Sequence, residues 1–199
     1  MRILHFDNLS KFPQIKHFVG TRHDKSNLSD YVTVKQVHGD NVLVVKSSSV
    51  GEVKADAMIT NQRGIGLVIR VADCVPIMFY DPTKNAIGIA HAGWRGTLKK
   101  IVAKTVAKMR DEFETNPEDL VIGIGPSICV KHYEVDEAVL FGAKGHFDLR
   151  AANKIQLEKL GVKNIEIMPY CTYERTDLFY SYRREGKKGM ITTGILITG

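Results

Sequence analysis

AIGIAHAGWRGTLKKIVAKTVAKMRDEF, residues 86–113, decides the fold of this chain. Residues 86–90 are an apolar run of strand length, with His91 at its end. A Gly93-x-x-Gly96 turn follows, whose small residues let a backbone approach a ligand closely. Thr97 is a predicted N-cap. After it Leu98, Ile101, Val102, Thr105, Val106, Met109 and Phe113 recur on one stripe, so 97–113 is expected to be an amphipathic helix that stops before Asn116-Pro117. Strand, glycine turn and helix make the unit of a mixed α/β protein, with a histidine at the joint. The start of the helix offers unpaired N–H groups to an anion. Arg95 adds a planar fork for phosphate or carboxylate, and Trp94 reads as a packing lid.

Outward from that unit, Val- and Ile-rich runs at 31–37, 42–46, 65–71, 76–80, 120–124, 164–168, 177–182 and 190–198 read as strands, punctuated by Gly, Asp and Pro. Asp148 is placed to cap a second helix at 149–160 that Gly161 closes. No repeat, low-complexity linker or composition break divides the chain. A single domain over 1–199 is expected, an α+β fold of mixed β-sheets flanked by helices.

The 199 residues are 44% hydrophobic, enough for one sizeable core. No run approaches the roughly 18 apolar residues of a membrane span. MRILHFDNLSKF (1–12) lacks the basic-then-apolar pattern of a secretory signal. Three cysteines are too few, and odd in number, for a disulfide framework, so reduced thiols in a cytoplasm are expected. The net charge is +6, drawn largely from Lys99, Lys100, Lys104, Lys108 and Arg110 and from SYRREGKK (181–188). The first group reads as the solvated face of the predicted helix. No RNA-binding aromatic motif or zinc-knuckle spacing accompanies it, so nucleic acid is not an expected partner. A basic pocket for a phosphate-bearing small substrate accounts for the charge more economically. Gly123-Ile124-Gly125 follows a strand, but position 128 is Ile, so the dinucleotide fingerprint fails.

Two further strand-like runs carry chemistry near their ends: TVKQVHGD (33–40) and GLVIRVADCVP (66–76). His38, Cys74 and His91 can therefore converge although they lie far apart in sequence. A thiolate and two imidazoles fit a catalytic zinc ion with one open position. They fit a Cys–His nucleophile pair as well. Either reading makes the protein an enzyme.

The ordered motifs KQVHGDNV (35–42), ADAMIT (55–60), VADCVP (71–76), AIGIAHAGWRGT (86–97), IGP-x-I (124–128) and FYSYRREG (179–186) carry a resemblance. From about residue 18 onward the chain resembles the laccase-domain or polyphenol-oxidase-like family, whose bacterial members are also called peptidoglycan editing factors or purine nucleoside phosphorylases. The resemblance implies that His38, Cys74 and His91 hold a single zinc ion. The activity it implies is phosphorolysis of adenosine, inosine and methylthioadenosine to free base and a ribose 1-phosphate, with adenosine deamination alongside. Only His23 to Lys35 separate Val19-Gly20-Thr21-Arg22 from QVHG, fewer residues than the family usually has there. Lys188-Gly189-Met190 stands where the family has Thr-Gly-Arg.

On this reading purine nucleoside and phosphate are the partners, and Arg183 or Arg184 holds the phosphate. On an extended segment only one of them faces a pocket, and Arg183 is the expected one. Gln36 alternates with His38 on a strand face and is expected to contact substrate, as is Arg95. Asp73 either orients a ligand, acts as acid or base, or makes a strand-end turn. The alternative enzyme is a Cys–His hydrolase, with Cys74 as nucleophile and His91 as base, removing an amino acid from a peptidoglycan precursor. A non-catalytic zinc module would need a fourth ligand, since structural sites close all four positions. A copper-dependent polyphenol oxidase needs a blue-copper site of two histidines and a cysteine, and a trinuclear cluster besides. Seven histidines are too few, so one zinc per chain is expected, and not copper. Cys129 and Cys171 read as packing thiols. Nothing in the sequence sets an oligomeric state.

Overall fold

The computed structural model describes residues 3–136 and 145–198. The first strands are β1 (Ile3–Leu4), β2 (Ile15–Gly20), β3 (Tyr31–Val32), β4 (Val42–Val44), β5 (Ala57–Thr60) and β6 (Gly66–Val71). There follow β7 (Val75–Asp81), β8 (Ala86–Ala92), β9 (Val121–Ile124), β10 (Glu134–Val135), β11 (Gly145–His146), β12 (Asn164–Ile167) and β13 (Ile191–Ile197). The helices are α1 (Asp7–Ser10), α2 (Trp94–Leu98), α3 (Ile101–Phe113), α4 (Leu149–Lys159) and α5 (Tyr182–Glu185). A six-stranded sheet runs β12-β9-β7-β8-β5-β4 and a five-stranded sheet β1-β2-β13-β6-β3. The six-stranded sheet is antiparallel through its centre and parallel at both edges, where β12 joins β9 and β4 joins β5. This is an α+β fold with mixed sheets and flanking helices, as expected.

The order of layers follows from side-chain alternation. Every residue of β7 and β8 is buried, which is why VPIMFYD and AIGIAHA read as continuous apolar runs. Successive side chains point to opposite faces. Met78, Tyr80, Ile87 and Ile89 enter the core shared with β2, β6 and β13 of the other sheet. Val75, Ile77, Phe79, Ala86, Ala90 and Ala92 enter a second core under α3 and α4. The small residues of β8 bring α3 close. A Cβ at Gly88 would meet the Met109 sulfur at 3.4 Å and Ile59 at 3.2 Å. Ile101, Val102, Val106 and Met109 bury the helical stripe, each contributing roughly 2 kcal/mol through burial. Val106→Asp would put a charge into that core and break the layer.

The expected helix 97–113 is two helices. Lys100 takes a left-handed conformation (φ 61°) between α2 and α3. Thr97 is no cap: it lies buried inside α2, and its hydroxyl accepts the Asn153 amide of α4 at 2.9 Å. The sharp break lets α2 dock on α4 while α3 turns onto the sheet. Asp148 caps α4 as expected, accepting the Ala151 N–H at 3.0 Å, and Gly161 follows at φ 92°. The expected strand at 177–182 is absent. Leu178 and Phe179 are buried from a run of turns, and Ser181 caps the short helix α5 by accepting the Arg184 N–H. The glycines of IGIG serve packing, since a Cβ at Gly123 would lie 2.6 Å from the Phe6 ring and one at Gly125 2.7 Å from Pro76.

Candidate active site

One end of the six-stranded sheet gathers every residue of interest. Asp56 and Cys74 immediately precede β5 and β7, and His91 lies near the end of β8, which runs between them in the opposite direction. His38 comes from the loop before β4. The segments after β9 and β12 emerge at the same end, because β9 runs antiparallel to β7 and β12 parallel to β9. Ligand atoms of His38, Cys74 and His91 lie within 4.8 Å of one another. The two imidazoles meet edge to face at 4.7 Å. His38 is exposed, Cys74 half-buried and His91 buried, so the group opens to solvent on one side.

Asp56 builds this geometry. It is fully buried, and its carboxylate accepts the backbone N–H groups of Val37 (3.2 Å), His38 (2.9 Å) and Gly39 (2.7 Å). Three successive amides folded around a carboxylate hold His38 at φ 58°, a conformation a non-glycine residue seldom adopts. The same carboxylate lies 2.8 Å from His91 Nδ1, which orients the ring and leaves Nε2 for the thiol or a metal. Burial would lower the His91 pKa, but the hydrogen bonds to Asp56 and Cys74 more than reverse that and raise it to about 9. Burial alone would raise the Cys74 thiol. Its contacts with His38 and His91 outweigh this and bring it down to about 7. Without metal, the site therefore favours a thiolate beside an imidazolium. Gly93 must be glycine for space, since a Cβ there would lie 2.9 Å from Cys74 Sγ and 3.4 Å from His38.

Asp73, next to the thiol, is a junction between loops. It is buried at φ 83°, and its carboxylate accepts the Thr172 hydroxyl and the Arg183 N–H, each at 2.7 Å. Its carbonyl accepts the Ile128 N–H at 3.0 Å. Arg184 ties the same loops: its guanidinium reaches the carbonyls of Thr172, Tyr173 and Phe179 and the Glu185 carboxylate. Arg183 projects the other way, donating to the Glu134 carbonyl at 2.9 Å and lying 5.3 Å from the Tyr133 ring centre. Trp94, Tyr133, Glu134, Val135, Asp136 and Arg183 line a cavity of about 160 Å³. Burial raises the Tyr133 phenol, and the nearby Cys74 charge adds to this, so it stays protonated. Arg95 is exposed at the same mouth, 4.5 Å over the Trp94 ring. Gln36 is used elsewhere. Position 36 lies outside any strand, and its carboxamide both donates to and accepts from the Arg70 backbone, at 2.8 and 2.9 Å.

A larger concavity, about 460 Å³, lies among His5, His17 and Tyr31. Size does not make it the site. The smaller cavity is the one tied to the triad, its Tyr133 feeling the Cys74 charge and its Arg183 bound through the backbone to Asp73, next to the thiol. In the larger one His17 is held neutral by burial, its pKa lowered to about 4, with Nε2 accepting the Phe6 N–H. Asp56 and Tyr133 are site residues that sequence patterns leave unassigned. A buried carboxylate opening the apolar run AMIT was a usable signal. Tyr133 offered none.

The family described as multi-copper polyphenol oxidoreductase laccase matches residues 19–198. A Bacteroides thetaiotaomicron protein named purine nucleoside phosphorylase is 32% identical over 260 aligned positions, covering 98% of this chain and 96% of that protein. The Bacillus subtilis purine nucleoside phosphorylase YlmD is 32% identical over 85% of this chain and 72% of its own length. The crystal structure of Bacillus licheniformis hypothetical protein YfiH superposes with a TM-score of 0.89 at 26% identity, covering 99% of this chain and 97% of that one. No helix among the described residues is long and apolar enough to cross a membrane. Together with a fold shared over nearly its whole length, the match from residue 19 to residue 198 makes this chain a member of the multi-copper polyphenol oxidoreductase laccase family.

Proposed function

We propose that the chain is a zinc-dependent purine nucleoside phosphorylase, acting on adenosine, inosine and methylthioadenosine with inorganic phosphate. The observation that carries this is the convergence of His38, Cys74 and His91 near a cavity lined by Tyr133 and Arg183, whose Trp94 wall carries Arg95. Relatives named for that activity support it. The donor set fits zinc: one sulfur, two ring nitrogens and, among the described residues, no fourth protein ligand in the group. Asp56 on His91 Nδ1 is the carboxylate partner that zinc-bound histidines usually have. When bound, zinc would supply a Lewis acid that polarises a coordinated oxygen, the chemistry adenosine deamination would also draw on.

The remaining roles fall to the chain itself. Phosphate must approach the sugar carbon while the bond to the base breaks, so the protein has to hold a dianion in line. Arg183 and Arg95 supply the charge, and their planar forks suit a phosphate. The Tyr133 phenol, kept protonated, can donate to a phosphate or sugar oxygen. Asp73 places Arg183 through its backbone N–H. At about 160 Å³ the cavity is smaller than typical ligand sites of roughly 300–1,000 Å³. It takes the phosphate and sugar, and the base extends beyond the mouth.

A second reading, the Cys–His hydrolase, is favoured by one observation. Cys74, His91 and Asp56 form a thiolate–imidazolium–carboxylate series of the kind found in nucleophilic enzymes. Products of the purified protein with a nucleoside panel separate the two. Base release together with a sugar 1-phosphate, only when phosphate is present, supports phosphorolysis. No base release from any nucleoside, with turnover of an amide substrate, would return the site to a hydrolase.

A further inference from the structure

Cys129 begins a tight turn over residues 130–132, closed by the His132 N–H donating to the Cys129 carbonyl at 3.0 Å. Residues three apart on such a turn eclipse one another, so the thiol and the imidazole share one side. Glu174, from the segment after β12, meets them: His132 Nε2 lies 3.0 Å from its carboxylate. Ligand atoms of all three lie within 4.8 Å of one another. The His132 ring is held against Tyr173, stacked at 4.4 Å and 20°. Cys129 and His132 are half-buried and Glu174 is exposed, so an ion can enter from solution. The competing cation, Lys131, lies 3.9 Å from Glu174 on a largely exposed side chain, a pair worth little. Buried behind Cys129 is Cys171, whose sulfur accepts the Cys129 N–H at 3.3 Å.

We propose that Cys129, His132 and Glu174 form a second metal site for a zinc-class divalent cation, separate from the triad at His38, Cys74 and His91. One sulfur, one nitrogen and one carboxylate oxygen suit borderline ions such as zinc or cobalt and disfavour magnesium or calcium. A fourth position stays open to water. The site joins the turn that leads into the cavity to the loop bonded to Asp73. The 130–132 turn leads directly into Tyr133, and Glu174 follows Thr172, which holds Asp73. An ion bound here therefore ties the Tyr133 wall to the loop that places Arg183.

The test uses cobalt(II) added to the metal-free full chain, read by its thiolate-to-cobalt absorption and by stoichiometry. Wild type is expected to bind two equivalents, and Cys74→Ser one, with the thiolate band retained. Cys74→Ser/Cys129→Ser should lose the band altogether. Cys74→Ser/Glu174→Gln, which differs from Cys74→Ser only at an exposed side chain, should stay folded by circular dichroism and bind cobalt at least about tenfold more weakly than Cys74→Ser. A Cys74→Ser protein that binds no cobalt through sulfur would overturn the proposal. So would a band that survives in Cys74→Ser/Cys129→Ser, or a Cys74→Ser/Glu174→Gln affinity equal to that of Cys74→Ser.

Discussion

Asp56→Asn tests the architecture of the triad more sharply than removal of any ligand. The substitution keeps the side chain's shape but replaces one acceptor oxygen by an NH2 group. Four donors now converge on that carboxylate: the amides of Val37, His38 and Gly39 and His91 Nδ1. Whichever way the new amide turns, at least one faces another donor in a buried site. Leaving a buried donor unmatched costs about 1–3 kcal/mol, so a loss of global stability of that order is expected. The effect on metal is separate. Loss of the carboxylate behind a metal-binding histidine weakens affinity by about 10–100-fold, or about 1.4–2.8 kcal/mol. Zinc competition against a chromophoric chelator gives the affinity, and urea denaturation of the metal-free protein gives the stability. A folded Asp56→Asn protein with unchanged zinc affinity would refute the claim that Asp56 organises the site.

Three further outcomes follow from the geometry. In metal-free protein, Cys74 alkylation should rise to half its maximum near pH 7, since its pKa is lowered to about 7. A depressed thiol stabilises the fold above its ordinary value and loses that contribution as pH falls. The stability advantage of metal-free wild type over Cys74→Ser should therefore shrink as pH drops through about 7, and a midpoint at the ordinary thiol value would contradict the contacts with His38 and His91. Gly93→Ala, which places a Cβ 2.9 Å from Cys74 Sγ, should keep its far-ultraviolet circular dichroism yet lose zinc affinity by about tenfold or more, and full affinity would show that the sulfur has room to move. Arg183→Ala should raise KM for phosphate by about 10–100-fold with zinc content unchanged, the loss of one charged hydrogen-bonding group. Arg184→Ala should instead lower stability by about 3 kcal/mol, because it bridges three carbonyls and Glu185. Equal effects from the two arginines would remove the distinction drawn between them.

Much of this was legible in the sequence where local and global signals agree. The central strands bury both faces, so β7 and β8 announce themselves as apolar runs, one starting directly after Cys74 and the other carrying His91 near its end. The helix α4 carries its own cap and stop. What was illegible depends on partners distant in sequence. The strand β2, IKHFVG, mixes Lys16 and His17 into its run, and only pairing with β13 makes it a strand. The helix α1 has no cap of its own; Glu166 supplies one, accepting the Asp7 and Asn8 N–H groups. FYSYRR reads as extended because it is rich in aromatic residues, whereas Arg184 and Ser181 fold it into a turn and a short helix. Gln36 looked like a site residue from its spacing to His38, but the positive φ at His38 breaks the alternation that spacing assumed. Asp56 shows in the sequence only as a carboxylate opening an apolar run, since its bonds to three backbone amides leave no trace in the side-chain pattern.

The central claim is that turnover depends on metal held by His38, Cys74 and His91. Titrating metal-free protein with zinc, while following phosphate-dependent base release from adenosine, tests it most directly. Base release should be absent without zinc, rise in step with metal bound at the triad, and stay absent in Cys74→Ala at any zinc level. Full turnover by metal-free protein, or by Cys74→Ala, would contradict the account.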